Sequence, residues 1–141
     1  MMKYILLLSA LFLCTGCPSQ QSSGSPSSVA AQRPAALSLH AATVAVLMLD
    51  ELEAEHAKTL NSTMTAELAA AEGRVARLER AAASLRIADD WLRGAVSAED
   101  GRAALKSAIQ LLRLAVQELQ AQGKSIPPEL DAMLGTAEQV L

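Results

Sequence analysis

The sequence predicts an all-α protein, a small bundle of three or four helices behind a polar N-terminal stretch. Apolar residues recur at three- and four-residue steps over most of residues 35–141, the period of an amphipathic helix. No segment alternates apolar and polar residues with period two, so no half-buried strand is expected. Glycine, proline and short polar residues break the helical pattern at a few places and divide it into elements.

The first helical stretch opens at about Ala35, just after Pro34, a residue well tolerated at a helix start. Leu37, Ala41, Val44, Ala45, Met48, Leu52, His56 and Leu60 trace its expected apolar face, and Val44 to Leu49 is apolar all round. His40 and Asp50 bound that run too closely for a membrane span. Asp50, Glu51, Glu53 and Glu55 follow as an acidic patch.

At Asn61-Ser62-Thr63-Met64-Thr65 short polar side chains compete with the helical backbone for hydrogen bonds and favour a turn. The period resumes through Leu68, Ala71, Val75, Leu78, Ala82, Leu85, Ala88 and Leu92. A turn at residues 61 to 65 sets position 51 opposite 75. Glu51, Glu53 and Glu55 then lie near Arg74 and Arg77, which favours a hairpin over one continuous helix from Ala35 to Arg93.

Gly94 and Gly101 bracket the next break, and Ser97 with Asp100 resembles a capping box. Leu105, Ala108, Ile109, Leu112, Val116 and Leu119 form the clearest apolar face in the chain, with Leu111 and Leu114 broadening it, and Gly123 is placed to end that helix. Pro127-Pro128 introduces a short last helix with Leu130, Met133, Leu134, Ala137, Val140 and Leu141 on its apolar side.

The N-terminus reads as an export leader. Lys3 supplies a positive charge, Tyr4 to Leu13 an apolar run of ten residues, and Thr15-Gly16 small side chains before Cys17. Ten apolar residues are too few to span a bilayer, which takes about 20, and no later segment is expected to replace them. This stretch, residues 1–17, resembles the signal of bacterial lipoprotein precursors. Cys14 stands where that signal usually has Leu, and bulky Leu13 makes Cys14 itself the poorer acceptor. The resemblance implies removal of residues 1–16, diacylglycerol on the Cys17 thiol and a membrane anchor. Pro18, where an Asp favours inner-membrane retention in some bacteria, leans the expectation to the outer membrane, facing the periplasm.

Three regions follow: a signal peptide at 1–16, the lipidated cysteine with a disordered Ser/Pro/Gln tether at 17–34, and a helical domain at 35–141. The formal charge of −3 becomes −4 once Lys3 is removed, which offers nothing to a nucleic-acid backbone. Trp91 is the only aromatic residue after the leader, too few for a base-stacking platform. With Cys14 removed and Cys17 acylated, no disulfide is available.

Candidate chemistry is sparse. Glu53-Ala54-Glu55-His56 holds one Glu-x-x-His, but His40 has Leu37 three places before it, so the paired motif of carboxylate di-metal bundles is missing. Asp89 and Asp90 point about 100° apart on a helix, and pairing of Asp89 with Arg93 and Arg86 with Asp90 is the plainer reading. Arg74, Arg77, Arg80, Arg86 and Arg93, interspersed with Glu72, Glu79, Asp89 and Asp90, read as a mixed solvated face. No catalytic set, metal site or cofactor is expected. The expected function is a lipid-anchored structural or protein-interaction module of the cell envelope, with an envelope protein as partner and self-association open. Two alternatives stand beside it: a coiled-coil spacer similar to the major outer-membrane lipoprotein, interrupted here by Gly and Pro, and a phage-encoded lysis lipoprotein similar to outer spanins.

Overall fold

A computed structural model describes residues 26–61 and 63–139. The leader, Cys17, and Val140 and Leu141 at the end of the last expected apolar face lie outside the described residues. Four helices and no strand are found among those described: α1, Pro26–Ala57; α2, Thr65–Leu92; α3, Ala98–Ala121; and α4, Pro128–Glu138. They form the expected small all-α bundle, a long hairpin followed by two shorter helices.

Helix α1 begins at Pro26 rather than at Ala35, so residues 26–34, expected as tether, are its first turns. Pro26 occupies a helix start, and Ala30, Ala31, Gln32 and Arg33 are good helix formers. Pro34 sits inside the helix and leaves the Ala30 carbonyl without its usual donor. The buried face matches expectation at Ala41, Ala45 and His56 and differs elsewhere. Ala35, Ser38, Ala42, Ala45 and Leu49 point inward at alternating three- and four-residue steps, while Leu37 is 54% exposed and Leu47 47%. Apolar residues surround this helix, so period alone does not choose its face. The alanine-rich side goes inward because small side chains let neighbouring helices approach closely.

Gln32–Ala57 is long and apolar enough to cross a membrane by length and composition, with a mean hydropathy of 1.5. This corrects the expectation that no segment after the leader reaches that threshold. In the bundle the same stretch is the core helix, and Ser38, Ala42, Ala45 and Leu49 on it are fully enclosed.

The chain turns back between Ala57 and Thr65 as expected. Asn61 Oδ1 accepts the backbone N–H of Thr63 at 3.0 Å, a local turn that competes with helix. Helices α2 and α3 supply the other faces of the core. Arg74, Leu78, Ala81, Leu85 and Ala88 are buried on α2, and Gly101, Leu105, Ala108, Leu112, Ala115 and Leu119 on α3. Both sets alternate four- and three-residue steps, the seam along which antiparallel helices interlock. Val75, expected in the face of α2, is 40% exposed.

The helix ends follow local chemistry. Gly94 and Gly123 have positive φ, 79° and 71°. After α3, Lys124 N–H donates to the Leu119 carbonyl and Gly123 N–H to that of Gln120, both at 2.9 Å, the Schellman arrangement. At the start of α3, Ser97 Oγ accepts the Asp100 N–H at 3.1 Å and donates to Asp100 Oδ2 at 2.6 Å. Gly101, expected as a break, lies in the first turn of α3 and packs against Trp91, where a Cβ would collide with the indole. Arg102 lies over the other part of that contact, 5.6 Å from the ring centroid.

One polar link joins each pair of neighbouring helices around the ring. Arg74 of α2 pairs with Glu53 of α1, and Arg77 of α2 with Glu118 of α3. Arg113 of α3 reaches Glu138 at 2.8 and 3.0 Å and also Asp131, both on α4. Ser38 Oγ of α1 closes the circle by donating to the Ala137 carbonyl of α4 at 2.6 Å. Apolar burial drives the packing. These links set the register in which it occurs.

Candidate functional site

The polar groups converge at the corner where α1 ends, α2 begins and α3 gives way to its C-terminal loop. Two antiparallel helices bring them together. Glu53 and His56 are one turn apart on α1 and therefore share a face, and the antiparallel return of the chain sets Arg74 against both. Arg74 is fully buried, Glu53 is 4% exposed and His56 9%.

The guanidinium of Arg74 forms a forked contact with Glu53. Nε donates to Oε1, and Nη2 donates to Oε2 at 3.2 Å. Nη2 also lies 3.3 Å from His56 Nδ1. A guanidinium carries only donors, so Nδ1 is the acceptor and the ring proton of neutral His56 resides on Nε2. Burial, first, and then the positive charges of Lys124 and Arg74 hold the imidazole below its ordinary value of 6.5, against the opposing pull of Glu53. Arg74 Nη1 is enclosed without a partner, as is Nε of Arg77. The cluster therefore has donors in excess of acceptors.

Two open cavities flank His56. One, of about 330 Å³, is lined by Leu52, Glu55, His56, Thr59, Leu119, Lys124, Ser125 and Ile126. The other, of about 430 Å³, shares His56, Thr59 and Lys124 and adds Glu67 and Gln122. Thr59 Oγ1 donates to the His56 carbonyl at 2.7 Å and holds the helix end. Glu55 is taken up by Lys58.

The Glu-x-x-His pair thus lies on one face, as its spacing requires, and both side chains turn to an arginine. No group of three His, Cys, Asp or Glu side chains arranged to hold a metal occurs among the described residues. Asp89 pairs with Arg93 at 2.7 Å, and Trp91 between the aspartates and α3 is a core residue. The five arginines do not form one solvated face. Arg74 is enclosed, Arg77 is bound to Glu118, and Arg80 donates to the Ala76 carbonyl at 3.2 Å. Lys124 and Ser125 carry no signal in the sequence, because they acquire neighbours only through the loop after α3. The excess of arginine over acidic residues from Arg74 to Arg80 was the available signal for Arg74.

No protein-family model, curated protein or solved structure matches this chain.

Proposed function

We propose that the chain is a lipid-anchored lipoprotein of the bacterial cell envelope, a non-catalytic module that holds a helical bundle close to a membrane and presents it to a protein partner. The observation that carries this reading is the leader: one lysine, ten apolar residues and Thr15-Gly16 ahead of Cys17. Acyl chains on Cys17 supply the anchor, and more than one chain is needed for stable attachment. Pro18 favours the outer membrane, facing the periplasm.

The fold is compatible with this role. Cys17 precedes Pro26 by nine residues, which limits its separation from the start of α1 to about 30 Å. Gln32, Arg33 and Pro34 are exposed and Ala35 is buried, so α1 belongs to the packed bundle from Ala35 onward. Exposed Leu37, Leu47, Val75, Ile87 and Leu114 on three helices offer apolar contact points for another envelope protein or a second copy. The buried polar groups at the bundle corner are engaged with one another, a structural use of charge.

Metabolic labelling with palmitate tests the anchor. Wild type and Cys17→Ala chains are compared, with Cys14→Ala as control. Label in the wild type and the Cys14 variant, and none in the Cys17 variant, supports the reading. Equal label in all three removes it.

A further inference from the structure

The cavity between the ends of α1 and α3 has a polarity that the anchoring role does not use. One of its donors is fixed by the surrounding structure. Because Arg74 Nη2 occupies His56 Nδ1 at 3.3 Å, the imidazole can offer only Nε2–H to its surroundings. Lys124 lines the same cavity and forms no ion pair among the described residues. Ser125 adds a hydroxyl beside it. The one carboxylate in the lining, Glu55, is already paired with Lys58. Leu52, Leu119 and Ile126 make the remaining wall apolar.

A cation donor, a fixed N–H donor and a hydroxyl beside three aliphatic side chains suit a ligand with a negative oxygen-bearing head and a short hydrocarbon body. We propose that this cavity binds a small aliphatic carboxylate, its oxygens held by Lys124 Nζ and His56 Nε2 and its chain laid against Leu52, Leu119 and Ile126. The volume of about 330 Å³ lies at the lower end of the range used by small-molecule sites. The neighbouring cavity shares Lys124 and His56 but contains Glu67 with no ion-pair partner among the described residues, and that carboxylate repels an anion. Lys124, unpaired among the described residues and acting against a charged imidazole, is also the charge that attracts a carboxylate, since that of Arg74 is balanced by Glu53. This site is independent of how the chain is anchored.

The test is a titration of the full chain with hexanoate, acetate and hexylammonium, followed through the NMR signals of the His56 ring. Hexanoate should shift those signals saturably. Acetate, which lacks the hydrocarbon body that would lie against the aliphatic wall, should bind about tenfold or more weakly. Hexylammonium should leave them unmoved. Lys124→Met, a change in a loop outside the helices, should weaken hexanoate about tenfold, the equivalent of one charge-assisted hydrogen bond, with the helical circular dichroism retained. No saturable shift with hexanoate overturns the proposal, and so does an equal response to hexanoate and hexylammonium. Both of those outcomes are read on the unmodified chain, so they hold whatever the variant does.

Discussion

Arg74 on α2 and Glu53 on α1 form an enclosed ion pair, with side chains 0% and 3% exposed, and it lies at the level where the first hairpin must choose its register. A slip of one helical turn would leave both charges buried and apart. The alanine and leucine seam above it tolerates such a slip far better, because neighbouring turns present similar side chains. The pair therefore selects among packings of comparable apolar burial, a use of buried charge known from other helical assemblies.

Removing one partner should be costly and removing both should not. Glu53→Gln leaves the Arg74 charge enclosed without a counter-ion, and the expected loss is about 3–5 kcal/mol of unfolding free energy. The double substitution Glu53→Leu, Arg74→Leu should recover most of that loss, since it replaces the pair by apolar side chains. Urea unfolding of the wild type, the single and the double variants measures the coupling directly. A double variant as unstable as the single one would show that the pair stabilises the packing by more than mutual neutralisation.

His56 gives the bundle an acid sensitivity above the usual carboxylate range. Its folded-state value lies below the ordinary 6.5 because burial and then the charges of Lys124 and Arg74 oppose protonation, with Glu53 acting the other way. The unfolded chain thus binds the proton more readily than the folded one. Stability from this group is full above about 6.5 and is lost as pH falls from there through the folded-state value. Protonated Nδ1 would also set a donor against the Arg74 guanidinium. The melting temperature should begin to fall below about pH 6.5, and His56→Gln should flatten that first phase. A second phase is expected only at lower pH, below about 4.5, where Glu138, held below its ordinary value by its hydrogen bond with Arg113, takes up a proton. Melting curves across this range that show only the second phase would contradict the buried, arginine-bound histidine.

Much of the fold was legible because its signals are local. Ser97 with Asp100 and the glycine at position 123 act through backbone groups within a few residues, so the sequence itself contains the whole interaction. The hairpin was legible for a different reason: acidic residues 51 to 55 and arginines 74 and 77 are complementary only when the chain turns between them. The detail of that pairing was not legible. Glu53 and Arg74 look like surface residues in a charged helix, and their burial depends on the depth at which two alanine-rich faces meet. The inward face of α1 was obscured by Val44 to Leu49, apolar on all sides, where the close approach allowed by Ala42 and Ala45 outweighs the larger area of Leu37 and Leu47. The cavity beside His56 was hidden because Lys124 and Ile126 reach it only after the α3 helix has ended and its loop has crossed to α1.

Two helical glycines should respond to alanine in opposite directions. Gly73 in α2 has open space around the position of a Cβ, so Gly73→Ala should stabilise by about 0.5–1 kcal/mol through helix propensity. Gly101 packs directly on the Trp91 side chain, and overpacking costs about 1–3 kcal/mol. Gly101→Ala should therefore be destabilising in spite of the same propensity gain, because the clash is with the root of the indole side chain, with a change in Trp91 fluorescence that Gly73→Ala lacks. Thermal melts of both variants, monitored by indole emission, decide this; a stabilised Gly101→Ala with unchanged emission would mean that Trp91 is not held against α3.

The proposed anchor at Cys17 and the core helix make competing claims on the membrane, and detergent partitioning separates them. Gln32–Ala57 is apolar enough to insert, with a mean hydropathy of 1.5, yet insertion would strip Leu49, Ala45 and Ser38 from their partners and expose the apolar faces of α2 and α3 that α1 covers. It would also carry Glu53 toward the lipid, where an unpaired carboxylate is costly, and leave Arg74 without its counter-ion. Keeping α1 in the bundle avoids all three penalties, so attachment should depend on acyl chains at Cys17. The wild-type chain is therefore expected in the detergent phase of a cloud-point separation and the Cys17→Ser chain, freed of its leader, in the aqueous phase. Retention of the Cys17→Ser chain in detergent, together with loss of the hairpin contact between Glu53 and Arg74, would make α1 the anchor and the bundle a state adopted only away from the membrane.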